Sequence, residues 1–358
     1  MRRRRFLALG AAVAAAGSGA GLAGCAAGRT SRAPLARVSV VASTAAGPSW
    51  ERIARAIAWT LREDGLVRDV RVDCRHGAAA AVATAALGGD RTGATPLAAP
   101  GGGTGARWLL AGVPMLSAAE MDDSGEILAH ATPLARLLGE REVLVVSRAS
   151  RLRGFEEFAA VLRGDAAALV VAGGPMGGAE HVLFGMIAQG LGVDARRVQY
   201  AAYGDPGQAA AAVLGGRVAA GIGPVRQWAA RLSSGAARAL AVSSAAPVEG
   251  IDAPSLLDCG VRVDYADWCG LLGPAGMSAS ERAAAVAVCD HLQSSARWRR
   301  ACRTHGWVRH HLGGDGFAQW LGGETRRTRA ALRDLGLLNR PDTIHANTIS
   351  WGCCARRH

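Results

Sequence analysis

Apolar positions along the chain fall into two alternating rhythms. The β-branched run at residues 38–41 has the density of a buried strand, and Trp50, Ile53, Ile57 and Leu61 then recur at helical spacing, the stripe of an amphipathic helix. Ser49 stands where an N-cap belongs. Residues 70–72 predict a second strand, and after Gly77 an alanine-rich helix runs through Leu87. The order returns at residues 169–172, which lead into Gly173-Gly174-Pro175-Met176-Gly177-Gly178 and a helix carrying Val182, Leu183, Met186 and Ile187, closed by Gly190 and Gly192. Further strands fit 142–147, 198–201, 218–222, 239–243 and 270–273; further helices fit 206–214, 280–291 and 317–335. This alternation predicts open, mostly parallel α/β sheets covered by helices on both faces, and a chain of 358 residues is long enough for two of them.

The first residues follow a different rule. Four arginines, Arg2 to Arg5, precede an apolar, glycine-diluted stretch at 6–22 that ends in Leu22-Ala23-Gly24-Cys25. That order of charge, apolar segment and small-residue site is an export signal rather than a spanning helix, which needs about 20 strongly apolar residues. The ending resembles the bacterial lipobox, which makes residues 1–24 a lipoprotein-type signal peptide, Cys25 the lipidated residue and 25–35 a tether. The run of arginines also resembles a twin-arginine signal, leaving the export route open.

Composition narrows the chemistry. With 50% hydrophobic and 20% charged residues, the chain has enough apolar material for a sizeable core. All 41 basic side chains are arginine. Lacking lysine, the chain has neither a P-loop nor a Schiff-base amine. Loss of the signal's four arginines lowers the net charge from +12 to +8, and the remainder is spread along the chain rather than gathered in a stripe with aromatics, so nucleic acid is not an expected partner. Eight cysteines less Cys25 leave seven, so at least one thiol stays unpaired in a monomer; Cys259 and Cys269 are candidates to pair. Without a Cys-x-x-Cys pair, no metal site is expected.

Open α/β sheets bind ligands where glycine loops hand over to helix N-termini, whose unpaired N–H groups attract anions. Three loops have this form: 45–49, 77–80 and 174–178. Gly101-Gly102-Gly103-Thr104-Gly105 lacks the dinucleotide spacing and is expected to be a flexible loop. Neither a nucleophile elbow nor a zincin motif occurs, Cys74 and His76 lack an orienting partner, and adjacent His310 and His311 point in different directions. His181, one turn into its helix, either approaches an anion or packs.

Several segments together resemble one family. Gly47-Pro48-Ser49-Trp50-Glu51, Arg75-His76-Gly77-Ala78-Ala79-Ala80, Thr132-Pro133-Leu134-Ala135-Arg136-Leu137, Gly173-Gly174-Pro175-Met176-Gly177-Gly178-Ala179-Glu180-His181, Gly204-Asp205-Pro206 and Asp267-Trp268-Cys269-Gly270 occur in the order found in extracytoplasmic solute receptors of tripartite tricarboxylate transporters, the TctC or Bug type. The resemblance spans residues 38–338. It implies a type II periplasmic-binding-protein fold, two α/β lobes joined by two crossover strands, with lobe 1 at 36–138 and 250–338, lobe 2 at 139–249, and a poorly ordered tail at 339–358.

It further implies a non-enzyme without cofactor, a monomer that closes on a small organic carboxylate and presents it to membrane permease subunits, lipid-anchored on the outer face of the cell membrane. Ligand contacts are expected from Ala46, Gly47, Ser49 and Trp50 of the first loop, Gly77, Ala78 and Ala79 of the second, Gly174, Met176, Gly177 and His181 of the third, and Trp268 as an apolar wall. Asp205 departs from this scheme, since a carboxylate capping its own helix repels an anion there. Two other readings are a ligand sensor on the same fold, presenting its ligand to a membrane kinase, and an exported α/β enzyme using Cys74 and His76.

Overall fold

The computed structural model describes residues 35–44, 48–76, 79–87 and 105–338. The signal segment, Cys25, Ala46, Gly47, Gly77, Ala78, residues 101–104 and the tail lie outside them, as does the side chain of Ala79.

Two mixed sheets, each wrapped by helices, organise these residues. The first contains β1 (Leu35–Ser43), β2 (Val67–Arg75), β3 (Ala106–Gly112), β4 (Thr132–Glu140), β10 (Asp267–Gly273) and β11 (Val308–Gly313), in the order β11-β4-β10-β3-β1-β2. The second contains β5 (Glu142–Ser147), β6 (Val170–Gly173), β7 (Gln199–Ala202), β8 (Ala220–Pro224) and β9 (Ala237–Val242), in the order β7-β6-β8-β5-β9. Parallel pairing holds within β2-β1-β3 and β7-β6-β8, where helices intervene between successive strands. The strands that carry the chain between the sheets, β4, β5, β9 and β10, pair antiparallel. Periodicity finds the strands but not these antiparallel additions, because direction is set by where the chain returns.

The helix α1 (Pro48–Glu63) shows why the local pattern succeeds. Trp50, Ile53, Ile57 and Leu61 are all buried, a stripe whose removal from water stabilises by roughly 2 kcal/mol per side chain. The helix starts at Pro48, a residue suited to that position, so Ser49 lies inside the first turn instead of capping it. Cys259 and Cys269 carry free thiols, the latter buried within β10 between β3 and β4.

Passage between the sheets is stitched at one serine. Ser243 Oγ receives the Glu142 N–H at 2.9 Å and donates to the Tyr265 carbonyl at 2.7 Å, so the outgoing and returning segments are bonded through one hydroxyl. Arg141 adds a bond from Nη1 to the same carbonyl at 2.9 Å and an ion pair with Asp264. Among the described residues no helix is long and apolar enough to cross a membrane.

Candidate functional site

Both sheets contribute to a cavity of about 250 Å³. From the first come Ser49, Trp50 and Arg52 on the opening turns of α1, Glu140 at the end of β4 and Asp267 at the start of β10. From the second come Gly173, Gly174 and Glu180 where β6 runs into α6 (Ala179–Gly190), together with Tyr203, Ile222 and Arg226. Glu140 and Asp267 face each other across the β4–β10 pair, which fixes both carboxyls at one end of the first sheet.

Of the expected contacts, Ser49, Trp50 and Gly174 stand in this wall. Met176, Gly177, His181 and Trp268 do not, and each has another employment. Met176 is 43% exposed. Gly177 takes φ of +72°, a conformation that favours glycine, and donates its N–H to His181 Nδ1 at 3.1 Å. The buried His181 ring stacks on Tyr200 with centroids 4.2 Å apart, and Tyr200 in turn donates its hydroxyl to the Gly174 carbonyl at 3.0 Å. Burial lowers the His181 pKa to about 4, so the imidazole is neutral and Nδ1 is free to accept. His181 therefore shapes the glycine loop from behind. Trp268, 3% exposed, packs edge-on against Phe317 and Trp320 in the core.

The concavity of the glycine loop is filled from within. The Glu180 carboxylate folds back over it, and a Cβ added to Gly174 would meet Oε2 at 2.7 Å and Oε1 at 2.9 Å. Glu180 also accepts its own backbone N–H at the start of α6, the position where a helix dipole favours an anion. Asp267 does the same for α3 (Val113–Met121), accepting the Val113 N–H, and Asp205 caps α7 (Pro206–Leu214) by accepting the Gln208 N–H at 2.9 Å.

Burial, and with it the crowding of acids, raises the proton affinity of Glu180, Asp267, Glu142 and Glu140. Burial lifts Glu180 to about 7, with the charge of Glu140 adding to it. Asp267 and Glu142 are held well above the ordinary carboxylate range, first by burial and then by their acidic neighbours. Glu140 is raised less far, because Ser49 and Trp307 donate hydrogen bonds to it, the latter at 3.0 Å, and Arg52 and Arg226 lie near. Among the described residues no group of His, Cys, Asp and Glu converges to hold a metal ion.

Comparison of the whole fold with solved structures gives a consistent answer. A TctC solute-binding protein from Polaromonas superposes with a TM-score of 0.63 at 19% identity, covering 84% of this chain and 99% of that one. This is the TctC/Bug fold. The periplasmic binding protein BugD matches with a TM-score of 0.67 at 17% identity, covering 85% of this chain and 99% of its own. MatC from Rhodopseudomonas palustris, solved with bound malate, matches with 0.63 at 18% identity over 83% and 99%. No protein-family model and no curated protein matches the sequence. The type II periplasmic-binding architecture is thus shared.

Glycine-loop reasoning misses Arg52, Glu140, Glu180, Asp267 and Arg226 as wall residues of this TctC/Bug fold. One signal was present in the sequence: Glu140-Arg141-Glu142 interrupts two apolar runs with three consecutive charges, which marks the segment where the chain leaves one core for another.

Proposed function

We propose that this chain is an extracytoplasmic solute-binding protein that captures a small organic carboxylate between its two sheets and delivers it to a tripartite tricarboxylate-type membrane permease. One observation carries the reading: within a fold shared with solute-binding proteins, a cavity of about 250 Å³ is walled by both sheets, so a ligand inside it touches each and favours the closed arrangement. Ser49, Trp50 and Gly174 contact the ligand, with Arg52 and Arg226 supplying the guanidinium groups that a carboxylate pairs with. Trp50 forms part of the apolar wall. The export signal and the lipidated Cys25 keep the protein on the outer face of the membrane, where a permease meets it.

The test is a thermal-shift screen of the purified chain without its signal, against di- and tricarboxylates and aromatic acids. A true ligand at a hundred times its Kd stabilises by about 2.7 kcal/mol, a shift of several degrees. Arg52→Ala is expected to weaken that ligand at least tenfold. If no carboxylate moves the melting temperature, the capture role fails; if the gene has no neighbours encoding a large and a small permease subunit, the delivery role loses its partner.

A further inference from the structure

Among the described residues Trp59 is the largest apolar side chain left more than a third exposed, at 47%. It stands on the outer face of α1, where its helical neighbours are Arg55, Arg62 and Glu63. Arg55 is taken by Glu51 of the same helix. A single exposed apolar residue needs no explanation, but the place where this one stands supplies one.

Strand directions fix that place. β1, β2, β3 and β4 run the same way, since β3 and β4 both lie antiparallel to β10. Their carboxyl ends face the cavity, where β1 hands over to α1 and Glu140 closes β4. The helix α1 therefore starts at the cavity and runs back to the amino ends of the strands. There Leu35, the first residue of β1, pairs in register with Val67, the first of β2, just beyond the turn that closes α1. Beside α1, α10 (Ala296–His305) runs in the opposite sense. Arg297 at its start bonds Asp64 at 2.5 Å, while His305 at its end has its pKa lowered by burial and then by Arg226 and Arg52 of the cavity wall.

The end remote from the cavity is basic. Arg62, Arg68, Arg297 and Arg300 are exposed there, with Glu63 the exposed acid beside them. Asp64 neutralises Arg297, whereas Arg62 donates to the Val70 carbonyl at 2.6 Å, a bond that leaves its charge uncancelled. An indole set among arginines is the chemistry of a bilayer interface: the ring settles at headgroup depth, and each arginine near an anionic surface strengthens binding about fivefold.

Resting on the lipid anchor of the proposed function, we propose that this end of the first sheet lies against the anionic surface of the membrane, with Trp59 among the headgroups and Arg62, Arg68 and Arg300 over acidic lipid. Cys25 stands ten residues before Leu35, a reach of at most about 35 Å, so the end where β1 begins is the one an acyl chain there holds nearest the bilayer. The anchor limits distance and the patch adds orientation, turning the cavity end of the first sheet away from lipid.

The test is vesicle flotation of the chain from Cys25 onward, carrying Cys25→Ser to keep it unacylated, with phosphatidylcholine vesicles that contain or lack about 30% phosphatidylglycerol. Acidic lipid is expected to strengthen partitioning about tenfold or more, and salt to weaken it. Arg62→Glu combined with Arg300→Glu should lower it by about tenfold or more and Trp59→Ala by roughly threefold, whereas Arg151→Glu, exposed on the second-sheet half, should leave it unchanged. Should the first pair disturb the melting transition, Arg68→Glu with Arg300→Glu reads the same patch. Equal partitioning into both vesicles, none into either, or a loss from Arg151→Glu as large as from the patch pair would overturn the inference. Equally tight binding to soluble polyglutamate would overturn it too, marking the patch as a site for an acidic protein segment. None of these outcomes touches the carboxylate thermal shift, so the solute-binding reading would stand. The mass of the chain recovered from membranes reads the anchor separately: an unacylated Cys25 removes the anchor and this orientation together.

Discussion

The two sides of the cavity are built by the same local grammar, strand, short loop and helix, and they serve a guest differently. On the first-sheet side, the opening of α1 brings Ser49, Trp50 and Arg52 to the wall, a hydroxyl, an indole and a guanidinium. On the second-sheet side, the opening of α6 brings Gly173, Gly174 and Glu180, and the carboxylate occupies the hollow that its glycines leave. A helix N-terminus therefore marks where negative charge is favourable without saying who provides it. The two helix starts thus bring donors in one case and a carboxylate in the other, while Glu140 and Asp267 add acid to the first side and Arg226 adds a cation to the second.

Filling the second side's hollow is the harshest way to break this contrast. A Cβ on Gly173 would collide with the Tyr200 hydroxyl and meet Glu180 Cβ at 2.9 Å, both held by packing. Gly173→Ala is expected to cost about 3 kcal/mol, the upper range for forcing extra volume into a packed site. The control is Gly164→Ala, where nothing lies within 4 Å, which should leave the denaturation midpoint unchanged or raise it. Equal midpoints for the two variants would mean that the loop yields freely and that Glu180 is not held over it.

A smaller effect reads the acid itself. Glu180 has its proton affinity raised in the fold, from 4.5 to about 7, so the native state binds that proton more tightly than the unfolded chain. Its contribution is most favourable below pH 4.5 and is lost as the pH rises through 7. The shift corresponds to about 3 kcal/mol, reduced to about 2 by the partial exposure of the residue. Glu180→Gln should thus gain about 2 kcal/mol over the parent at pH 8, with the difference closing by pH 4.5, in urea titrations at the two pH values. A gap that does not change with pH would show that Glu180 is ordinarily ionised and that the acid face is not crowded.

Much of the architecture was legible because it rests on local pattern. The stripe of α1, the runs of β1 and β5 and the glycines around β6 are short-range signals, and each element forms near where its periodicity ends. The elements that periodicity passes over include β4, α5 (Phe155–Gly164), α8 (Val225–Ser233) and α10 (Ala296–His305). In α10, Arg297, Arg299, Arg300 and Arg303 dilute the apolar stripe, so that Trp298 and Cys302 alone are buried and the periodic signal is faint. The site was legible at the start of α1 and at Gly174, but not in its acids and arginines. Glu140 and Asp267 meet across the β4–β10 pair, 127 positions apart in sequence, and such a meeting leaves no trace in spacing. Trp268 illustrates the converse: its neighbour Asp267 faces the cavity, and alternation along the strand sends the tryptophan to the core.

The smallest effect tests whether self-capping extends to the third helix end. Asp205 sits at the N-cap of α7 with its side chain accepting the Gln208 N–H, Pro206 follows at the first helical position, and Gly204 and Pro206 both stand in the cavity wall. Replacing the aspartate by alanine frees that N–H and is expected to cost about 1 kcal/mol, the usual value of such a cap. Asp205→Asn keeps an acceptor oxygen and removes the charge, so most of the stability should return. Placed beside the Glu180→Gln variant, the asparagine change separates two functions of a carboxylate at a helix start. At Asp205, which is exposed, the hydrogen bond dominates, and the asparagine keeps it. At Glu180, within the cavity, the charge dominates and the slope is steep. Were Asp205→Asn to cost as much as Asp205→Ala, charge rather than the hydrogen bond would hold this helix start too, and the distinction between the starts of α6 and α7 would fail.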